Sequence, residues 1–417
     1  MRVLIVSKHF PENLLTKVHG VYKRLQMFVD AINKTSQIDV LFFVPNDMEV
    51  SSSLIAKLEH SFSNYWDAEI KLHLCKKFAP NRSRLNWKRY GLGAVRFFKQ
   101  DGFLETSGRE QVRGFESCLS NRPDKIFVHR LAAMCPLLLT SRTLPPVFLD
   151  LDDIEHIAFF RSIKHIPQWY KKLLYYTILP ALCWGEYKAI QLADRTFVCS
   201  EKDRRYLTNR WHLKGVYTIP NAVKIPKRLP ATAEQTLLFI GSYFHKPNIN
   251  AAEFLIQKIW PHVHKALPDA TLIIAGFPPD RIPSYRLDTP GIRFPGFVDN
   301  LANLYRQSRV VCAPILFGSG TRLKILEAAA YGKPIVSTQM GAEGIQMRNG
   351  REILLCDDPK RFAESCVRLL KDQDLCDRLG SAACAAVAKK YDQVKVKRLI
   401  QKHFKNENDK RIHPSAA

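Results

Sequence analysis

Short apolar runs alternate with segments of helical length along the whole chain. In the first half, MRVLIVS, IDVLFFVP, KIFVHR and PPVFLDLDD are strand-like, and residues 21–35 have the apolar spacing of a helix. The alternation resumes after residue 193 with RTFVCS, TLLFIGS, ATLIIAGF, SRVVCAP and KPIVST. Continuous apolar strands separated by helices are typical of parallel sheets covered on both faces. The pattern therefore predicts two doubly wound α/β units.

The alternation is interrupted near residues 220–235, where three prolines occur without strong periodicity. We expect an N-terminal Rossmann-like domain over 1–222 and a second Rossmann-like domain over 223–395. Residues 377–405 predict one long basic helix. The end of this helix and the tail, residues 396–417, form a third predicted region that could pack back on the N-terminal domain.

The charge balance favours anionic partners, because 63 Lys and Arg face 39 Asp and Glu, a formal net charge of +24. Nucleic acid, acidic lipid and nucleotide phosphates all fit this charge. The longest apolar stretch, residues 173–184, is shorter than the roughly 20 residues that span a bilayer, and the N-terminal apolar run is too short for a signal peptide. Ten scattered cysteines without a CxxC pair suggest neither disulfides nor a structural metal. We expect a cytoplasmic protein without a transmembrane helix.

The stretch GSGTRLKILEAAAYGKPIVST, residues 318–338, combines a glycine turn with the start of a helix that Gly332 should end. Such turns after a strand present backbone N–H groups to phosphates. Arg322 and Lys324 would add full positive charges for a diphosphate. Glu327 would repel a phosphate but could accept hydroxyl protons from a ribose. The alternative, a solvated Glu327 paired with Arg322, is equally compatible with these residues.

Several stretches, in order, resemble family 4 of the glycosyltransferases. They are LLFIGSYFHKPNINAAEFL, PDATLIIAGFPPD, GIRFPGFVDNLANLYRQSRVVCAP, the stretch 318–338 and GAEGI, with weaker matches in ADRTFVCSEKDRRYL and TIPNAV. The resemblance implies the GT-B fold, in which two doubly wound Rossmann-like domains face a cleft. It also implies transfer of a sugar from a nucleotide diphosphate with retention of anomeric configuration.

The resemblance assigns roles to particular residues. Glu327 would bind the donor ribose, the loop 319–324 the diphosphate and sugar, and the turn at His19 and Gly20 would approach the phosphates. His129, at the end of KIFVHR, would lie near the transferred sugar, and with Arg322 and Lys324 it forms the predicted catalytic set. The predicted donor-binding residues are Gly20, Gly241, Lys246, Asn248, Phe297, Val298, Ser319, Gly320, Thr321, Arg322, Lys324 and Glu327.

The chain departs from the family pattern at three positions. Ser319 stands where the Glu-x7-Glu motif begins with Glu, Ser242 where an Arg follows the strand glycine, and Asn248 near the usual Lys, with Lys246 offset. Arg322 and Lys324 could take over the phosphates. These departures leave the donor sugar undefined, and they also permit a degenerate, inactive site.

The stretch DLDDIEH, residues 150–156, fits the DxD metal motif of another glycosyltransferase fold through Asp150 and Asp152. We favour the alternative that Asp150, Asp152 and Asp153 end a strand and line the acceptor cleft. The predicted mechanism needs no metal and no cofactor besides the nucleotide-sugar substrate, because Arg322, Lys324, Lys246 and a helix N-terminus would stabilise the charge that develops on the leaving diphosphate. The resemblance to retaining GT-B enzymes further implies that this phosphate itself takes the acceptor proton, so no protein base is assigned.

Two stretches, residues 76–99 and 169–188, mix Lys and Arg with Trp, Tyr and Phe. This combination suits an anionic membrane surface, although core aromatics with a solvated charged face would give the same pattern. We favour the membrane, because a lipid-linked acceptor would explain both the charge and its position.

The sequence therefore predicts a glycosyltransferase acting on a lipid-linked or polysaccharide acceptor, peripheral on the inner face of the plasma membrane. The alternatives are a nucleotide-sugar 2-epimerase of the same fold, a non-catalytic protein with a relic donor site, and a nucleic-acid-binding basic protein. The last ranks low, because the sequence has no recognisable nucleic-acid-binding motif. The donor sugar, base, acceptor, linkage and oligomeric state are not specified.

Overall fold

The chain forms two compact units in the computed structural model, which describes residues 1–11, 20–77, 107–226, 232 and 234–405. Met1–Ile219 and the segment that begins at Lys397 belong to the first unit, and Pro220–Val396 forms the second. His19 and most of the basic stretch 76–99 lie outside the described residues.

The first unit is built on a parallel sheet that has seven strands within the described residues, in the order β3-β2-β1-β4-β5-β6-β7. Its central strands are apolar and buried on both faces, as continuous apolar runs predict. The strands are β1 (Arg2–Ser7), β2 (Gln37–Val44), β3 (Ile70–Lys76), β4 (Lys125–His129), β5 (Val147–Asp152), β6 (Arg195–Val198) and β7 (Val216–Thr218).

Helices connect these strands, because each crossover between parallel neighbours needs a connection of a dozen or more residues. The described helices of this unit are α1 (Gly20–Ile32), α2 (Ser52–Trp66), α3 (Arg109–Leu119), α4 (Cys135–Leu139), α5 (Glu155–Lys164), α6 (Trp169–Leu192) and α7 (Glu201–Arg210). Helix α1 begins and ends close to the predicted bounds.

The second unit repeats the design with a six-stranded parallel sheet in the order β10-β9-β8-β11-β12-β13, counted over the described chain. Its strands are β8 (Thr236–Ile240), β9 (Thr271–Ala275), β10 (Ile292–Gly296), β11 (Val310–Ala313), β12 (Ile335–Ser337) and β13 (Leu354–Leu355). Its helices are α8 (Lys246–Phe254), α9 (Trp260–Ala266), α10 (Leu301–Gln307), α11 (Leu323–Ala330), α12 (Pro359–Lys371) and α13 (Gln373–Lys390). The last described helix, α14 (Gln393–Lys405), begins in the second unit and continues into the segment of the first unit that starts at Lys397. The predicted pair of doubly wound units is confirmed.

The C-terminal helical region is broken, so the predicted single helix over 377–405 is wrong. Helix α13 ends at Lys390 and α14 begins at Gln393. Between them the backbone pairs with Val223, whose N–H donates to the Tyr391 carbonyl at 2.9 Å and whose carbonyl accepts from Gln393 at 3.0 Å. Hydrogen bonds to a distant segment replace two positions of the helical ladder.

The end of α14 is held against the first unit's sheet by an aromatic contact. The buried Phe404 ring lies 5.1 Å from the Phe148 ring and 6.0 Å from that of Phe127. Nearby, Arg195 donates to the His403 carbonyl at 2.7 Å. Sequence periodicity predicted the helix, but only these contacts show what its apolar face covers.

We expect Phe404→Ala to lower the free energy of unfolding by about 3 kcal/mol, because it removes a buried ring and leaves a cavity. Urea denaturation followed by circular dichroism measures the change. Val394→Ala on the same helix is the matched control, since Val394 is exposed and exposed substitutions usually change stability by less than about 0.5 kcal/mol. Equal effects of the two substitutions would contradict the packing of this helix.

Candidate functional site

The loop between β11 and α11 turns back on itself at two glycines. Gly318 has φ +121° and Gly320 has φ +74°, conformations that L side chains rarely adopt. Arg322, the N-cap residue of α11, donates from Nη1 to the carbonyls of Ser319 and Gly320. The guanidinium is therefore folded over its own loop. A Cβ on Gly318 would lie 3.1 Å from Nη2 of Arg322, so a larger residue would crowd the guanidinium as well as strain the backbone.

Thr321 anchors the other side of this loop. Its Oγ1 accepts a hydrogen bond of 2.7 Å from Nδ2 of Asn221, and both side chains are buried. Asn221 precedes β8 in the motif TIPNAV, and the sequence analysis did not assign it a role. A hydrogen bond between segments a hundred residues apart fixes where the loop begins its helix.

Lys324 lies in the first turn of α11, between an amide and an aromatic ring. Its Nζ donates to Oδ1 of Asn248 at 2.9 Å and lies 4.3 Å from the centroid of the Phe239 ring. Burial, together with the smaller effect of the neighbouring Arg322, lowers the pKa of Lys324 to about 7 against the opposing effect of Glu327. A negative group arriving at this ammonium would raise its pKa again.

Asn248 joins three elements at the carboxyl edge of the sheet. Besides accepting from Lys324 on α11, it donates from Nδ2 to the carbonyl of Ser242 after β8, at 2.9 Å, and it lies on α8. A Cβ on Gly241 would lie 3.1 Å from Cβ of Asn248, so a larger residue at 241 would crowd Asn248. Lys246, the first residue of α8, is exposed beside it.

The loops after β8 and β9 approach each other closely. A Cβ on Gly276, at φ +136°, would lie 1.7 Å from the carbonyl oxygen of Gly241, and Tyr243 Oη donates to the Ala275 carbonyl at 3.0 Å. Sequence analysis missed Gly276, although a glycine directly after a buried strand is the usual signal for such an approach. This close approach fixes the position at which the chain turns from Gly241 toward α8.

Phe297 and Val298 follow β10, the strand beyond β9 at the edge of the sheet. The Phe297 side chain is half exposed, as are Phe244 and Phe277 after β8 and β9. All three follow strands that end at the same edge of a parallel sheet. The predicted base-contacting residues thus share the edge with Gly241 but are not in the hydrogen-bonded group around Asn248.

Glu327 lies one turn beyond Lys324 on α11 and is half-buried. Nearby, the Tyr305 ring stacks on that of Tyr331 with centroids 4.6 Å apart. Burial raises the pKa of the Tyr305 hydroxyl well above its usual value, and the Glu327 and Tyr331 groups add to the shift. Gly332, at φ +73°, follows the Tyr331 cap and ends the helix as predicted.

The predicted residues of the first unit gather at the carboxyl edge of its own sheet. His129 ends β4 and is fully buried, with Nδ1 3.0 Å from Oγ of Ser7 at the end of β1. Burial holds the pKa of His129 well below its usual value, and His9, Arg130 and Arg24 add to this effect. The imidazole is therefore neutral near pH 7.

Asp150 forms a buried ion pair with Arg24 of α1. Both Arg24 Nε and Nη2 donate to its carboxylate, at 2.9 and 2.7 Å, and Arg24 Nη1 donates to the Ile219 carbonyl at 3.0 Å. Asp150 is fully buried and Arg24 almost so. Asp150 thus serves first as the counter-ion that keeps Arg24 inside the unit.

Asp152 and Asp153 surround a second arginine, Arg130. Its Nη2 lies 3.7 Å from Asp152 Oδ2 and 3.4 Å from Asp153 Oδ2. Asp152 (φ +59°) and Arg130 (φ +69°) both occupy the left-handed region, which costs about 1–3 kcal/mol per non-glycine residue. Burial raises the pKa of the adjacent Glu155 to about 7 against the opposing Arg130. Sequence analysis missed Glu155, although it lies in the same DLDDIEH stretch.

Among the described residues, Asp152, Asp153 and Cys199 have ligand atoms within 4.8 Å of one another. Burial and the two aspartates raise the pKa of the Cys199 thiol well above its usual value. A protonated thiol is a weak metal ligand, and Arg24 and Arg130 already neutralise part of the acidic charge. Gly20 is exposed at the start of α1, and the backbone of the next residue, Val21, hydrogen-bonds His129.

Comparison with known proteins identifies a related family for the second unit. Residues 234–372 match the family described as "Glycosyl transferases group 1". The matched segment begins just before β8 and ends just after α12, so it contains the Gly241, Asn248 and Lys324 group.

One curated relative is the phosphatidyl-myo-inositol mannosyltransferase of Mycobacterium leprae. It is 28% identical over 205 residues, which cover 45% of this chain and 53% of that protein. The chain spans about half the length of the curated relatives it matches.

Solved structures are similar along nearly the whole chain. A point mutant of S. aureus TarM, crystallised with fondaparinux, α-GlcNAc-glycerol and UDP, has a TM-score of 0.67 at 12% identity over 97% of this chain and 100% of that one. Anabaena HepE, crystallised with UDP and glucose, has a TM-score of 0.61 at 13% identity over 97% and 99%. The predicted fold class, GT-B with two Rossmann-like domains, is confirmed.

Lys324 should titrate near pH 7, because burial and Arg322 both favour its neutral amine. Competitive acetylation followed by peptide mass spectrometry, repeated from pH 6 to 10, measures the midpoint. In Arg322→Ala the midpoint should rise, since a neighbouring positive charge is lost. The exposed Lys258 provides the internal reference within the same samples. A Lys324 midpoint that stays near 10 in the unaltered protein would contradict this environment.

Proposed function

We propose that the protein is a glycosyltransferase that moves a sugar from a nucleotide-diphosphate donor to a lipid-linked or polysaccharide acceptor, with retention of anomeric configuration. One observation carries this proposal: Arg322 and Lys324 lie at the N-terminus of α11, directly after a glycine turn. They do so inside the segment that matches the glycosyl transferase family.

The positive charges of Arg322 and Lys324 suit a diphosphate leaving group. Negative charge develops on the departing phosphate, and preorganised cations and backbone N–H groups stabilise it without reorganising. Arg322 is held by its own loop and Lys324 by Asn248. Diphosphate binding would raise the pKa of Lys324 from about 7, so the site would take up a proton as it binds.

The same contacts support the proposal that other cations replace the Lys and Arg that the family pattern has in the loop after β8. The resemblance places a Lys near Asn248 and an Arg at Ser242, and neither is present. Lys324 Nζ donates to Asn248 from the first turn of α11, and Asn248 in turn donates to the Ser242 carbonyl. We infer that α11 supplies from its first turn the charge that the family supplies from the loop after β8.

Other roles follow from the chemistry of each group. Glu327 would accept hydroxyl protons from the donor ribose, and His129 would hydrogen-bond the transferred sugar as a neutral imidazole. The acceptor hydroxyl would attack the anomeric carbon on the face from which the diphosphate leaves, and that phosphate would take the acceptor proton. Sugar–phosphate bond cleavage and glycosidic bond formation then balance without a protein base.

Donor and acceptor classes are suggested by the related proteins. TarM and HepE were crystallised with UDP, which makes UDP and its sugars the first donors to test. The mannosyltransferase relative is named for a phosphatidyl-inositol acceptor. We therefore propose a lipid-linked acceptor first and a polysaccharide second.

The proposed reaction is tested by supplying radiolabelled UDP-, GDP- and dTDP-sugars with a bacterial lipid extract. We expect one donor to release its nucleotide and to label a lipid-extractable or polymeric product, and Lys324→Met to reduce turnover at least tenfold. Lys258→Met is the control. Conversion of the donor into its 2-epimer without an acceptor would instead identify an epimerase, and no turnover of any donor would favour a relic site.

The proposed contact between Glu327 and the ribose is tested with a double cycle, in which one step changes the side chain and the other changes the nucleotide. Glu327→Gln should weaken UDP binding by about 1.5–3 kcal/mol, because it removes charge-assisted hydrogen bonds to the ribose. Removing the 2′-hydroxyl should weaken binding to the unaltered protein but have a smaller effect on Glu327→Gln. Isothermal titration calorimetry with UDP and 2′-deoxy-UDP measures both steps.

The exposed Glu364→Gln on α12 is the matched control for this cycle, and it should bind both nucleotides like the unaltered protein. If the two effects are additive, Glu327 does not contact that hydroxyl.

A further inference from the structure

Helix α6 turns an apolar face outward. Five exposed side chains follow one another along the helix at steps of four, three, four and four residues: Trp169, Leu173, Tyr176, Pro180 and Trp184. At about 100° per residue they lie within roughly 80° of one another around the helix. They form a line roughly 22 Å long. We call these five residues the α6 stripe.

The stripe is large and continues onto the neighbouring helix. The exposed fractions are 72% for Trp169, 59% for Leu173, 52% for Trp184 and 39% for Tyr176. Phe160 of α5 is 39% exposed, and its ring lies 6.1 Å from that of Tyr176. Contiguous apolar surface of this kind on a soluble protein usually marks an interaction site.

The rest of α6 is fixed by buried contacts on its other side. Glu186 is fully buried and accepts from the backbone N–H of Glu155 at 2.8 Å and of His156 at 3.3 Å, at the start of α5. The His156 ring bonds Glu186 through Nδ1 and Tyr206 Oη through Nε2, at 2.9 Å. These buried contacts do not involve the stripe, so the stripe can be altered without removing them.

The charges beside the stripe are basic. The Lys188 ammonium lies 5.4 Å from the Trp184 ring centroid, that of Lys164 5.1 Å from Phe160, and that of Lys171 6.0 Å from Tyr170. Residues 155–192 contain two acidic side chains, Glu155 and Glu186, and neither is exposed. The charge that this surface presents to a partner is therefore positive.

We propose that the α6 stripe and its flanking lysines dock the first unit onto an anionic lipid bilayer. Indole and phenol rings favour the headgroup region, and lysines there attract acidic lipids. No helix among the described residues is long and apolar enough to span a membrane. A second copy of the chain fits less well, because pairing two stripes would bring like charges together. The inference does not depend on the donor chemistry of the second unit.

Vesicle co-sedimentation of the full chain tests the proposal, with vesicles of phosphatidylcholine alone and with 30% phosphatidylglycerol. We expect binding to the anionic vesicles to be at least tenfold tighter, and to fall at least tenfold in the triple variant Trp169→Ser, Leu173→Ser, Trp184→Ser. Lys171→Glu with Lys188→Glu should also weaken it. Leu139→Ser with Val394→Ser is the matched control, because both residues are exposed apolar side chains elsewhere.

Folding is checked by requiring each variant to keep the thermal midpoint of the unaltered protein, and Trp169→Ser alone replaces the triple variant if that fails. Tryptophan emission should shift to shorter wavelength on anionic vesicles, and less so in Trp169→Ser. Equal vesicle binding by the triple variant and the control would overturn the proposal. It would also be overturned by analytical ultracentrifugation showing a dimer that the triple variant abolishes, with no vesicle binding by the unaltered protein.

Discussion

Parallel pairing of buried strands is the constraint on which both units depend. A strand covered on both faces needs a crossover helix before its neighbour, so every strand ends at the same edge and every returning helix begins near it. Polar groups collect at this edge, as His129 does at the end of β4 and Lys324 at the start of the helix that follows β11. The location of both candidate sites is a consequence of this geometry.

At the edge of the second unit, the surroundings of Lys324 weaken the positive charge of its ammonium before any ligand binds. Lys324 is desolvated beside Phe239 and repelled by Arg322, so its ammonium is only marginally stable near neutral pH. Asn248 offers it one neutral acceptor rather than a carboxylate. A phosphate would therefore meet a cation whose hydrogen-bond acceptor is a neutral amide, which costs less to replace than a carboxylate.

In the first unit, by contrast, the positive charges of two arginines are paired with carboxylates. Arg24 and Asp150 neutralise each other inside the sheet edge, and Arg130 is shared by two aspartates in a strained segment. These pairs hold the backbone around His129 while leaving the imidazole neutral. On the inner side of α6, the buried Glu186 accepts hydrogen bonds from the start of α5.

The sequence by itself determined the two parallel sheets, the glycine turn before α11 and the end of that helix at Gly332, because apolar runs and glycines act locally. It did not determine the break at Tyr391, the pairing of Arg24 with Asp150, or the contact between Lys324 and Asn248. Each of these joins segments far apart in the chain, and residue type alone does not specify which distant partner a polar group will meet. Tertiary structure decided them through burial, which leaves a polar group only the partners that the fold brings within hydrogen-bonding distance.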